Sequence, residues 1–110
     1  MSFEQKNIVI TSAVRTAIGT FRGALKSMQG HDLGSIVVKE SIKKANLKSE
    51  DIDELIMGQV LTSATGQNPA RQTAIKAGLQ NEKTAYVINQ VCGSGLRLSI
   101  IQISEQTRPR

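Results

Sequence analysis

Thr84-Ala85-Tyr86-Val87-Ile88-Asn89-Gln90-Val91-Cys92-Gly93-Ser94-Gly95 joins a strand signal to a helix start through a glycine-rich turn. The first half, Thr84 to Asn89, reads as a strand. A strand that runs into Cys92-Gly93-Ser94-Gly95 and then a helix is a strand–turn–helix elbow. Such a turn lifts one side chain clear of the packed layers, and glycines beside it let backbone and substrate approach.

Working back from the elbow, Gly66-Gln67-Asn68-Pro69 breaks the chain. Pro69 suits the first turn of a helix capped by Asn68, and Gly78 stops that helix after Ala77. Residues 54–61, Glu-Leu-Ile-Met-Gly-Gln-Val-Leu, read as a second strand, preceded by a polar turn that Ser49 caps. A longer helix is predicted over residues 32–45, with Asp32 as N-cap and Lys43 and Lys44 complementing its negative end. Its apolar residues (Leu33, Ile36, Val37, Val38, Ile42 and Ala45) cover more than a narrow stripe, so contact on two sides is expected. Asn7-Ile8-Val9-Ile10-Thr11-Ser12-Ala13-Val14 reads as a first buried strand, closed by a loop containing Gly19 and Gly23. The alternation is βαβαβα, and helical crossovers of this length imply a parallel, right-handed α/β sheet.

Composition limits the alternatives. The 110 residues suffice for one domain, and 39% hydrophobic with 21% charged residues is ordinary for a globular protein. Only Phe3, Phe21 and Tyr86 are aromatic, so an aliphatic core of Ile, Val, Leu and Ala is expected. The net charge of +5 is spread along the chain without a basic block or interleaved aromatics, which argues against a nucleic-acid partner. No stretch approaches the ~20 apolar residues that cross a bilayer, so no membrane role is predicted. One cysteine forms no internal disulfide, and a cytoplasmic location is expected. No metal-ligand cluster stands out, and no metal site is predicted.

Cys92 has two readings. A lone cysteine commonly packs as a small hydrophobe. A packing cysteine does not need the glycine-rich turn Gly93-Ser94-Gly95 that follows, and a thiol at a helix start faces free N–H groups that stabilise negative charge on sulfur. The same N–H groups suit the oxyanion of a tetrahedral intermediate, so the position fits acyl transfer through a thioester. Spacing alone leaves both readings open. Gly93-Ser94-Gly95 matches neither a phosphate-binding loop nor a dinucleotide fingerprint. His31, the single histidine, falls in the polar stretch Met28-Gln29-Gly30-His31-Asp32 and is read as an exposed loop residue without a catalytic role.

Val87-Ile88-Asn89-Gln90-Val91-Cys92-Gly93-Ser94-Gly95-Leu96-Arg97 resembles the acyl-enzyme segment of thiolases, most closely the biosynthetic acetyl-CoA acetyltransferase (acetoacetyl-CoA thiolase) type. Val9-Ile10-Thr11-Ser12-Ala13-Val14-Arg15-Thr16-Ala17-Ile18-Gly19 resembles the family's first strand and loop. Met57-Gly58-Gln59-Val60-Leu61 and Gly66-Gln67-Asn68-Pro69-Ala70-Arg71-Gln72 resemble its second strand and interface loop. The related condensing enzymes share a cysteine nucleophile but usually carry other residues around it.

The resemblance implies an incomplete N-terminal half of a thiolase-like α/β fold over residues 1–97, with residues 98–110 as a divergent tail. It implies Cys92 as the acyl-accepting nucleophile, with Gly93, Ser94 and Gly95 forming the substrate-binding or oxyanion turn. Gln67, Asn68 and Arg71 are placed at a subunit interface, so a homo-oligomer or association with another thiolase subunit is expected. Acetyl-CoA and CoA enter as substrates, with no cofactor. The family's Gly-His-Pro histidine, Cys-x-Gly-Gly-Gly cysteine and Asn-Glu-Ala-Phe-type segment have no counterpart in these residues. The chain alone is therefore expected to be a truncated, inactive thiolase, the alternative being a non-catalytic interaction module.

Overall fold

A computed structural model describes residues 7–97. The elements are helix α1 (Gly30–Lys44), a 3-10 turn (Ser49–Asp51), strand β1 (Glu54–Gly58), helix α2 (Pro69–Lys76), strand β2 (Thr84–Ile88) and a second 3-10 turn (Val91–Gly93). Residues 94–97 are again helical. β1 and β2 pair in parallel, with Glu54 opposite Thr84 and Gly58 opposite Ile88. The strand–helix–strand unit around α2 is thus the parallel α/β arrangement that the sequence predicts.

α2 begins as its sequence dictates. Asn68 caps it by accepting the N–H of Arg71 at 3.2 Å, and Pro69 occupies the first turn. Gly78, at φ +85, turns the chain out of the helix in the left-handed conformation that glycine adopts without steric cost.

α1 starts two residues earlier than expected. Gln29 is the N-cap, and Asp32 sits three residues on, its carboxylate accepting the Gln29 N–H at 2.9 Å. Asp32 therefore belongs to a capping box instead of being the cap itself. The 3-10 turn repeats the device, with Lys48 as cap and Asp51 accepting its N–H at 2.8 Å, so Ser49 is not the cap. β1 ends at Gly58, three residues short of Leu61.

The core is built from small side chains. Ala70, Ala74, Ala77, Leu79 and Thr73 are buried on or just after α2, which packs against α1 and against both strands. α1 and α2 meet where α1 has no side chain: a Cβ on Gly34 would lie 3.0 Å from Thr73 Oγ1 and 2.9 Å from Met57 Cε. Among the described Val, Leu and Ile residues only Leu79 is buried; the rest are half-buried or exposed, Ile36 among the exposed. Among the described residues the buried hydrophobic side chains are the Ala and Leu of the expected aliphatic core, without Ile or Val.

Residues 7–14 form no strand. Ile8, Val9 and Ile10 are exposed, and the segment is tied to α1 by Ser12 Oγ, which donates to the Ser41 carbonyl at 2.9 Å. The β-branched run specifies an extended preference, but a strand exists only where a neighbour accepts its hydrogen bonds. Among the described residues the sheet has two strands. The helical face suggested by Leu98, Ile101 and Glu105, and the whole 98–110 tail, lie outside the described residues.

Candidate active site at the β2 elbow

β2 delivers the chain to Asn89, and the elbow that follows is held by side chains. Asn89 Oδ1 accepts the Val91 N–H at 2.9 Å, while its Nδ2 donates to the Val60 carbonyl at 3.2 Å. Gln59 N–H donates to the Ile88 carbonyl at 3.1 Å, continuing the ladder one step past β1. The elbow is therefore anchored to the segment that leaves the neighbouring strand.

Val91 has φ +50. A β-branched residue is rarely found in this left-handed region, and a tight turn at a strand end is one of the few settings that impose it. Cys92 follows as an exposed free thiol in the 3-10 turn. The turn's own hydrogen bonds run from Gly93 N–H to the Gln90 carbonyl at 2.9 Å and from Ser94 N–H to the Val91 carbonyl. The Cys92 N–H stands ahead of both. Among the described residues the Cys92 thiol is exposed and not packed.

The three residues after Cys92 divide into two kinds. A Cβ on Gly93 would meet only Gln90 Cβ, at 3.9 Å, and one on Gly95 would meet nothing within 4 Å. Neither needs glycine for its own backbone, and a Cβ at either position would be accommodated among the described residues. Ser94 is turned inward and buried. Its hydroxyl accepts the Gln90 N–H at 3.0 Å and donates to the Val91 carbonyl at 2.9 Å.

Gly58 was not singled out by its sequence context, yet it decides whether this packing is possible. A Cβ there would lie 2.8 Å from Ser94 Cβ. Its only sequence signal is a glycine inside a strand pattern, which marks close backbone approach.

Gln67, Asn68 and Arg71 occupy the start of α2 and the loop before it. Gln67 is exposed, and its carbonyl accepts Gln72 Nε2 at 2.9 Å. Asn68 Nδ2 donates to the Ala85 carbonyl at 3.0 Å. Arg71 reaches the loop before β2, with Nη1 on the Lys83 carbonyl at 2.9 Å and Nη2 on the Asn81 carbonyl at 2.7 Å. Asn68 and Arg71 thus fix α2 against the approach to β2 within the chain.

His31 departs from expectation. It is the second residue of α1 and is buried, with Nε2 donating to Gln29 Oε1 at 2.9 Å. Nδ1 has no hydrogen-bond partner and lies 3.4 Å from Asp32 Oδ1. The polar flanks of His31 suggested a loop; the capping box moves the helix start ahead of it and rolls the ring inward.

Residues 8–107 match the family model described as "Thiolase, N-terminal domain". The chain is 53% identical over 91 residues to an acetyl-CoA acetyltransferase of Rhizobium meliloti, covering 83% of this chain and 23% of that protein. It is 54% identical over 89 residues to an acetyl-CoA acetyltransferase of Paracoccus denitrificans, covering 81% and 23%. Among solved structures it is similar to the Acat5 thiolase of Ascaris suum, determined in complex with coenzyme A. The TM-score is 0.86 at 41% identity, over 89% of this chain and 26% of that one. The chain spans about a quarter of the length of the curated relatives it matches.

Proposed function

The chain belongs to the thiolase family, in its N-terminal domain, and on that premise we propose that Cys92 is the acyl-accepting nucleophile of an acetyl-CoA C-acetyltransferase. The observation that carries this reading is an exposed thiol on an elbow that follows a parallel strand, with Gly93 and Gly95 after it in positions where a Cβ would meet little or nothing. The relatives' activity and the coenzyme A bound to the Ascaris suum structure supply the substrate class.

In this reading the Cys92 thiolate adds to the thioester carbonyl of acetyl-CoA. The new C–S bond forms, the oxyanion is met by the Cys92 N–H, and the bond to the CoA sulfur breaks. CoA leaves as a thiolate and takes up a proton, and the acetyl group rests on Cys92. Gly93 and Gly95 keep the approach to the sulfur clear, and Ser94 supports the turn from beneath. In the full reaction a second acetyl-CoA, deprotonated at its methyl carbon, displaces Cys92 to give acetoacetyl-CoA; thiolysis is the reverse. No cofactor enters either direction.

The 110 residues contain one cysteine and one histidine. The histidine is buried against the α1 cap, so neither a second thiol nor an available imidazole serves the condensation. We therefore read this chain by itself as one that stops at the acyl-enzyme. Its cytoplasmic placement follows the single unpaired thiol; among the described residues no helix is long and apolar enough to cross a membrane. Incubation of the chain with acetyl-CoA tests the reading: CoA release limited to one equivalent supports it, and sustained acetoacetyl-CoA formation contradicts it.

A second reading, association with another thiolase subunit or with itself, is favoured by the exposed apolar side chains. Ile10, Ile18, Phe21 and Leu61 are each more than four-fifths exposed, and exposed apolar side chains that gather into a patch mark an interaction surface. This reading assigns Gln67, Asn68 and Arg71 to a subunit interface. Size-exclusion chromatography decides it: a monomer that ignores added full-length thiolase removes this reading.

A further inference from the structure

We propose that Asn89 and Ser94 are positioning residues that together hold Val91 in its left-handed conformation and thereby set where Cys92 sits. This inference rests on the reading of Cys92 as the acyl acceptor.

Val91 is the one residue of the elbow whose backbone stands in a region that its side chain disfavours, at φ +50. Both peptide groups that flank this angle are tied by side chains. On one side its N–H donates to Asn89 Oδ1 at 2.9 Å. On the other its carbonyl accepts Ser94 Oγ at 2.9 Å. The same hydroxyl accepts the Gln90 N–H at 3.0 Å, so one oxygen bridges two consecutive residues. Neither clamp is free to shift. Asn89 is fixed by its second hydrogen bond, to the Val60 carbonyl at 3.2 Å. Ser94 is 7% exposed and packs where Gly58 has no side chain.

The orientation of the peptide between Val91 and Cys92 decides where the Cys92 N–H points and how its Cβ leaves the chain. If Val91 relaxed to an extended conformation, both would swing away from the helical residues 94–97. Ser is suited to position 94 because a hydroxyl accepts and donates at once. Asn is suited to position 89 because an amide does the same across a longer span.

The test compares the wild-type chain, Ser94→Ala and the double variant Ser94→Ala/Val91→Gly. Two quantities are read: single-turnover CoA release from acetyl-CoA, and the ratio of native to urea-unfolded alkylation rates with iodoacetamide, which report on the sole thiol. Ser94→Ala is expected to lower both about tenfold, a size typical of a slightly misplaced reacting group. Glycine at position 91 takes a positive φ without a clamp and is expected to bring both back to within about threefold. An unchanged alkylation ratio in Ser94→Ala, or a loss that glycine does not restore, overturns the proposal. If the wild-type chain releases no CoA, the acyl-acceptor reading fails while the alkylation ratio still decides the positioning role. Should circular dichroism show Ser94→Ala to be unfolded, Asn89→Ala with the same glycine rescue is judged by the same criteria.

Discussion

Gly58 and Ser94 approach so closely that a Cβ on Gly58 would lie 2.8 Å from the Cβ of Ser94. Strand β1 and the turn behind Cys92 are thus in backbone-level contact, and the elbow's geometry depends on a glycine 36 positions before Ser94. The contact is with a Cβ and not with the tip of a flexible side chain, so Gly58→Ala has no cheap relaxation. It is expected to destabilise the chain by about 1–3 kcal/mol, read as a lower urea midpoint with an unchanged slope. An unchanged midpoint would mean that the two segments are not in contact.

Arg71 offers a second test of how the site's frame is held. Its guanidinium spans two carbonyls, those of Lys83 and Asn81, at 2.9 and 2.7 Å. Lysine keeps the charge but not the planar fork. Arg71→Lys is expected to cost about 1–2 kcal/mol, leaving at least one carbonyl without its charged donor. Equal stability of the two proteins in urea would contradict the bridging role.

Asp32 links the α1 cap to α2. Its carboxyl is held below the usual carboxylate range, first by the hydrogen bond from the Lys76 ammonium and then by the Gln29 N–H, with desolvation opposing them. A lowered carboxyl stabilises the fold in its ionised form. That contribution is complete above the ordinary Asp value of about 3.9 and is lost as pH falls through the lower folded value. The difference in urea midpoint between wild type and Asp32→Asn is therefore expected to stay constant from neutral pH to about pH 5 and to shrink on further acidification. A difference that widens at low pH would contradict this sign.

Asn68 both caps α2 and reaches the Ala85 carbonyl of β2, while its own backbone is left-handed at φ +41. Asn68→Ala loses both hydrogen bonds and keeps a Cβ in that conformation, with an expected cost of about 1–2 kcal/mol. Asn68→Gly is expected to cost less, because glycine accepts the positive φ. The order of the two midpoints in thermal or urea unfolding checks this; Ala above Gly would contradict it.

The parts of this fold that were legible in the sequence are those that local chemistry decides. Asn68-Pro69 and Gly78 bracket α2, and the apolar run Thr84 to Ile88 gives β2, because caps, proline and glycine act on their own neighbours. Residues 7–14 show the limit of that logic, since a β-branched run specifies extension but not a partner. Asp32 and His31 show another. A capping box spans four residues, so the same Asp serves as cap or as third residue, and the choice decides whether the histidine is outside the helix or buried in it. At the elbow, the glycines and the cysteine announced a turn. The inward hydroxyl of Ser94, the left-handed Val91 and the contact with Gly58 are long-range consequences of packing. No rule about valine points to a positive φ.

The central claim, that Cys92 accepts an acyl group, is tested most directly by incubating the chain with acetyl-CoA and mapping the product by peptide mass spectrometry. The account predicts one acetyl group, on the peptide containing Cys92, labile to neutral hydroxylamine as a thioester is and absent from Cys92→Ser treated in the same way. Acetylation confined to lysines, or an unmodified Cys92 peptide in a folded chain, would contradict it.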